Sequence, residues 1–133
     1  MKRFEGLRII INGEPEIGKN VYIGEFSEIN AKGSSVTIGD NCDIGSFVSI
    51  NVADSHLRCV GLKKDIERAP IYIENNVFIG SHCFIGKGTC IREYSVIGSG
   101  TIISGGTIIP PYSKVVGNEI ISGYYRPKKH TDA

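Results

Sequence analysis

The 133-residue chain has almost no charge excess, with fifteen Lys and Arg against fourteen Asp and Glu and a formal net charge of +1. That balance removes the bulk electrostatic case for a nucleic-acid or membrane-surface partner, so any anion site has to be local. No apolar run approaches the roughly 20 residues that a transmembrane helix needs. Met1 to Glu5 do not open a secretory signal, and the cytoplasm is the expected compartment. Cysteine is sparse, and Cys42, Cys59, Cys83 and Cys90 lack the close pairing of a zinc ribbon or a redox motif. Low-complexity sequence is missing too, and 41% hydrophobic residues over this length suffice for one domain with a modest core.

What the chain does have is a period. From Ile73 an isoleucine returns every sixth residue, at Ile79, Ile85, Ile91, Ile97, Ile103 and Ile109. Four residues after each stands a small or β-branched side chain: Val77, Cys83, Thr89, Ser95, Thr101, Thr107 and Ser113. A step of six fits neither a helical stripe nor a lone alternating strand; it suits a short strand and a tight corner, repeated until the chain coils into a prism. No coil buries its inner face alone, so stability is shared between neighbours. Glycine directly after the isoleucine, as at Gly80, Gly86 and Gly98, is read as the corner that tolerates a positive φ. Cys42 and Cys83 fall on the small inward position and are read as packing, whereas Cys59 falls in a loop and Cys90 receives no role.

The same step runs earlier through Ile11, Ile17, Ile23 and Ile29, then through Ile38, Ile44 and Ile50 after a bulge of about three residues around Lys32 to Ser35. Counted three to a coil, Ile29, Ile50, Ile85 and Ile103 share one side of the prism. Ile17, Ile38, Ile73, Ile91 and Ile109 share a second, and Ile23, Ile44, Ile79 and Ile97 a third. The coils number between four and five, about 20 Å of prism. Met1 to Ile10, with Phe4 and Leu7, is expected to cap the first coil. The prism covers about 11–116, the repeat stops after Pro110 and Pro111, and 117–133 is a terminal extension, all within a single domain 1–133. Between Ile50 and Ile73 about 17 extra residues leave as one loop, about 54–70, and a long loop in a compact repeat is a functional candidate. His56 stands at its mouth, where the register would have put another isoleucine.

Repeats such as Ile79-Gly-Ser-His-Cys-Phe and Ile97-Gly-Ser-Gly-Thr-Ile resemble the hexapeptide repeats of the left-handed parallel β-helix acyltransferases. That resemblance implies an all-β, three-sided left-handed solenoid, a hand which the general crossover rule would not choose. Asn51-Val-Ala-Asp-Ser-His56, followed by Ala69 to His82, is similar to the galactoside and maltose acetyltransferase branch, over about Ile38 to Gly117. The resemblance implies that His56 is the general base and that the donor is acetyl-coenzyme A, lying in the groove between prisms of a homotrimer. It further implies that Ser81, Ser99 and Ser104 line the donor. An imidazole titrating near neutrality suits proton removal from a hydroxyl or amine attacking a thioester. Asp54 and Glu67 are both candidates to hold its second nitrogen.

His82, three residues after Ile79, is read as facing solvent or a neighbouring subunit, and His130 lies in the tail. Zinc carbonic anhydrases on this solenoid need a close histidine pair, which is absent here, so no metal is expected. The acceptor is expected to be a sugar or nucleotide-linked sugar, with Asn30 and Asn51 as substrate-binding candidates. The chain departs from the branch at Ser104-Gly-Gly-Thr-Ile-Ile-Pro-Pro, two residues longer than usual, and at Gly117-Asn-Glu-Ile. Arg126, Lys128 and Lys129 are basic groups available for the coenzyme phosphates. The competing reading is a non-catalytic scaffold that binds another protein with its flat faces; the histidine-bearing loop weighs against it.

Overall fold

Isoleucine branches at Cβ, and such side chains pack well on a pleated strand. In the computed structural model, which describes residues 8–128, the six-residue step winds as a left-handed parallel β-helix. The first face holds five parallel strands: Ile10–Asn12, Glu28–Asn30, Ser49–Asn51, Phe84–Ile85 and Ile102–Ile103. The second holds Glu16–Ile17, Val36–Ile38, Ile71–Ile73, Cys90–Ile91 and Ile108–Ile109. The third holds Tyr22–Ile23, Asp43–Ile44, Phe78–Ile79, Val96–Ile97 and Lys114–Val116, with Glu119–Ile121 added antiparallel at its end.

The register is the one expected from the count of three. Ile29 pairs with Ile50, Ile50 with Ile85 and Ile85 with Ile103. Ile38 pairs with Ile73 and Ile73 with Ile91, and on the third face Ile44 pairs with Ile79 and Ile79 with Ile97. These isoleucines are almost wholly buried, and each contributes about 1.5–3 kcal/mol by leaving water. The small residues four places on turn inward as well, and their polar atoms bond the corner carbonyls. Ser95 Oγ donates to Pro110 O at 3.0 Å, and Cys83 Sγ lies 3.2 Å from Gly98 O. Among the described residues no buried side-chain polar atom lacks a partner.

Three sequence expectations change. Positive φ does not fall on the glycine after the isoleucine; it falls two residues later, at Asn20, Phe26, Asn41, Phe47, Asn76, His82, Tyr94 and Tyr112 as well as Gly88, Gly100 and Gly106. The earlier glycine is there because the next coil passes so close: a Cβ on Gly80 would lie 2.5 Å from Ser99 N, and one on Gly24 2.5 Å from Ser46 N. The six-residue step also runs past the two prolines, since Val115 pairs with Ile97 and is buried. Within Ser104 to Pro111, Ser104 to Thr107 forms the corner between Ile102–Ile103 and Ile108–Ile109, and the six-residue step is kept. Finally, the register does not carry inward to position 56, because the chain leaves the prism after Val52 and returns at Ile71, both buried. The cap expected from Phe4 and Leu7 lies outside the described residues.

Bulky side chains at positive φ cost about 1–2 kcal/mol each, and here they stack from coil to coil. Phe26 and Phe47 lie 5.1 Å apart, Phe47 and His82 4.9 Å, and Tyr94 and Tyr112 5.1 Å, all face to face. Such pairs return about 0.5–1.5 kcal/mol. Arg8 covers the free face of Phe26 and Arg126 sits over Tyr112, so each ladder is closed at one end by a guanidinium.

The two glycine positions make different predictions. Gly80→Ala forces a methyl into Ser99 and should destabilise by about 3 kcal/mol, read as a lower denaturation midpoint at unchanged slope. Gly100→Asn, at φ +76° with nothing within 4 Å of an added Cβ, should stay within about 1 kcal/mol of the parent.

Candidate functional site

The 17-residue interruption is not a bare loop. Its limbs pair as a two-stranded antiparallel ladder, Ala53–Asp54 with Glu67–Arg68, which sets Asp54 opposite Glu67. Between them the chain forms a single helical turn, His56–Cys59, in which Cys59 N–H donates to Ser55 O and Val60 N–H to His56 O. The limbs are tied to the prism by Val52 N–H on Asn30 O and Ala69 N–H on Val52 O, both 3.1 Å.

Asp54 settles which group orients the histidine. Its Oδ1 accepts from His56 N–H at 3.0 Å and lies 2.6 Å from His56 Nδ1. Glu67 is instead taken by Lys63, whose Nζ lies 2.7 Å from Oε2 and holds that carboxyl below its usual value. The hydrogen bond from the His56 ring, helped by the one from its backbone, lowers Asp54 from 3.8 to about 2. An ionised carboxylate only accepts, so Nδ1 carries the ring proton and Nε2 of the neutral imidazole keeps an open lone pair. The side chain is 64% exposed. The arrangement can therefore take a proton at Nε2 while Asp54 stabilises the imidazolium that results.

A residue the sequence reading missed completes the group. Lys87 reaches down from the coil after Phe84–Ile85 and places Nζ 3.3 Å from Asp54 Oδ2. Its only sequence signal is the Gly86-Lys87-Gly88 run, two places after a repeat isoleucine. A cleft of about 190 Å³ lined by Ala53, Asp54, Phe84, Gly86, Lys87 and Gly105 opens beside it. Asp54, His56 and Glu67 bring ligand-type atoms within 4.8 Å of one another. Their carboxylates are, however, already engaged: Asp54 pairs with Lys87 and holds the imidazole by a hydrogen bond, and Glu67 pairs with Lys63. A larger cavity of about 540 Å³ on the second face, lined by Tyr72, Glu74, Cys90 and Glu93 among others, contains no histidine.

The remaining candidates separate by corner. Asn30 and Asn51 come together at the loop base, Asn30 Nδ2 donating to Asn51 Oδ1 at 3.1 Å. Their oxygens also hold the backbone, at Lys32 N–H and Ala53 N–H respectively. Ser81 and Ser99 lie on consecutive coils at the corner that leads into the first face, whereas Ser104 lies at the corner that leaves it, on the side of His56. Ser104 comes five positions after Ser99, at most about 17 Å of chain. His82 is exposed and caps the Phe26–Phe47 stack. Arg126 is at the third corner, over Tyr112, away from both serines and His56. Lys128 is exposed, and Lys129 and His130 lie outside the described residues. Cys42 and Cys83 are buried, which pushes both thiols up, and Cys59 is exposed at the end of the helical turn.

Residues 16–51 and 70–104, more than half of the chain, match the family described as the hexapeptide repeat of succinyl-transferase. Galactoside O-acetyltransferase of Escherichia coli K12 is 41% identical over 82 residues, 60% of this chain and 39% of that protein. A 2,3,4,5-tetrahydropyridine-2,6-dicarboxylate N-succinyltransferase from the Wolbachia of Brugia malayi is 34% identical over 86 residues, 65% of this chain and 27% of that protein. The chain thus spans well under half the length of either. Among solved structures, a galactoside acetyltransferase in complex with coenzyme A superposes with a TM-score of 0.54 at 27% identity, covering 93% of this chain and 70% of that one.

The Asp54 carboxylate predicts an acid response of the loop. A carboxyl whose folded value is lowered stabilises the folded form above its unfolded value and loses that contribution as pH falls, here from 3.8 towards about 2. Amide hydrogen exchange over 55–66, corrected for its intrinsic pH dependence, should accelerate across that window while the prism stays protected. In Asp54→Asn the same amides should already exchange fast at about pH 5.

Proposed function

The chain belongs to the hexapeptide-repeat family, and from that membership and the His56 site we propose that it transfers an acetyl group from acetyl-coenzyme A to a hydroxyl or amine of a sugar or nucleotide-linked sugar. The observation that carries this reading is the imidazole held at Nδ1 by an ionised Asp54 on a side chain that is mostly exposed. His56 Nε2 takes the proton of the acceptor hydroxyl or amine as that group attacks the thioester carbonyl. The tetrahedral adduct then collapses by expelling the coenzyme thiolate, which recovers the proton from the imidazolium. Asp54 keeps the ring in one tautomer and one orientation throughout. Coenzyme A in the related galactoside acetyltransferase supports the choice of donor.

Ser81 and Ser99 are placed on the donor by this reading, and Asn30 and Asn51 on the acceptor side at the loop base. Within one chain a whole face of the prism lies between the two serines and His56. A donor along that corner meets the base of an adjacent prism if three prisms pack around an axis, and the working unit is accordingly a homotrimer. Ser104, across the first face from the other two, contacts the donor from the histidine-bearing chain.

His56→Ala should leave the fold and coenzyme affinity nearly unchanged, because the side chain is mostly exposed and lies on the loop outside the buried core. Turnover on a confirmed acceptor should fall on the order of a thousandfold. His82→Ala, which removes a stacking partner of Phe47, should cost about tenfold or less. The reverse order would reassign the base. Titration calorimetry with coenzyme A tests the enzyme reading itself, since a scaffold gives no heat. Light scattering tests the shared site, and an active monomer at micromolar concentration would remove it.

A further inference from the structure

We infer that Lys87 is a positioning residue for the His56 base, acting through Asp54. The inference rests on His56 being that base, and it concerns how the imidazole is aimed. Asp54 carries two loads on one oxygen: Oδ1 takes both the backbone N–H and the ring Nδ1 of His56. The terminal torsion of an aspartate is broad and nearly two-fold, so a carboxylate held at one oxygen swings and carries the ring with it. Lys87 supplies the second anchor, at Oδ2.

The fold prepares this lysine for the task. Its side chain is only 25% exposed, which is low for a residue type that usually reaches into solvent. Gly105 of the neighbouring coil lies against it, where an added Cβ would come 3.0 Å from Lys87 O and 3.4 Å from its Cγ. Gly106 N–H donates to Lys87 O at 2.8 Å and fixes the backbone from which it reaches. The anchor therefore comes from the rigid prism, while His56 and Asp54 belong to the loop. Lys87 is the one side chain among these ion pairs that ties the catalytic group to the isoleucine lattice. The other cation of the group, Lys63, is itself on the loop and engages Glu67.

The test compares Lys87→Met, Lys87→Arg and the parent in the full-length protein, with His56→Ala as the reference for loss of the base. Lys87→Met should lower kcat about tenfold with KM for acetyl-coenzyme A unchanged, and Lys87→Arg should recover most of that loss. Nitrogen-15 NMR of the His56 ring, assigned by its disappearance in His56→Ala, should read a single Nδ1–H tautomer in the parent. In Lys87→Met it should read a mixture. Unchanged kcat and unchanged ring signals in Lys87→Met, with His56→Ala inactive, overturn the inference and leave the base intact. A raised KM for the coenzyme at unchanged kcat also overturns it, by making Lys87 a donor contact. Full turnover in His56→Ala removes the base reading instead, and the ring tautomer then still decides whether Lys87 positions the imidazole.

Discussion

Everything in this molecule answers to the spacing of one coil on the next. Isoleucine must stack on isoleucine at the distance set by parallel strand pairing, roughly 4.8 Å. At that distance a Cβ on Gly80 or Gly24 would run into the coil above, whereas Glu74, Arg92, Ser104 and Pro110 fill the same corner position on other coils. The fourth position has space only for a small side chain, and where that side chain is polar it bonds the corner carbonyl within reach, as Ser95 and Ser113 do with Pro110 O. Glycine, small residue and isoleucine are one solution to a single steric condition.

The third corner position turns outward and adopts positive φ, which leaves a column of side chains along two edges and the glycines Gly88 and Gly106 on the other. These columns are filled by rings and by amides, Phe26, Phe47 and His82 on one, and Asn20, Asn41 and Asn76 followed by Tyr94 and Tyr112 on another. Local strain is offset where neighbouring rungs touch, Phe26 on Phe47, Phe47 on His82 and Tyr94 on Tyr112, with Asn20 hydrogen-bonded to Asn41. The guanidiniums of Arg8 and Arg126 cover the ends, where a stacking partner runs out.

Such a lattice is regular and offers little that could do chemistry; its inward side chains are apolar or, like Ser95 and Ser113, already hydrogen-bonded to the corners. The site forms where the lattice is interrupted. The short ladder at the loop base and the single helical turn above it bring Asp54 and His56 into contact. Lys87 then couples that pair back to the prism. Under the proposed function, a base on such an excursion gains exposure, and an anchor on the scaffold restores the precision that exposure loses.

The isoleucine period was legible in the sequence because burial constrains residue type directly: Ile50, Ile85 and Ile103 had to face one interior, and they do. The bulge before Ile38, the inward cysteines and the place of the loop followed from the same counting. Handedness came only with the family, because a six-residue step is the same for either hand. The choice of Asp54 over Glu67 was closed to the sequence, since both stand near His56 and only the antiparallel pairing of the loop limbs gives one of them to the imidazole and the other to Lys63. Lys87 was closed as well, being 33 residues from Asp54 along the chain. A periodic pattern reports what each residue must hide; which exposed groups meet across the gap is decided by how the coils stack and where the loop comes back.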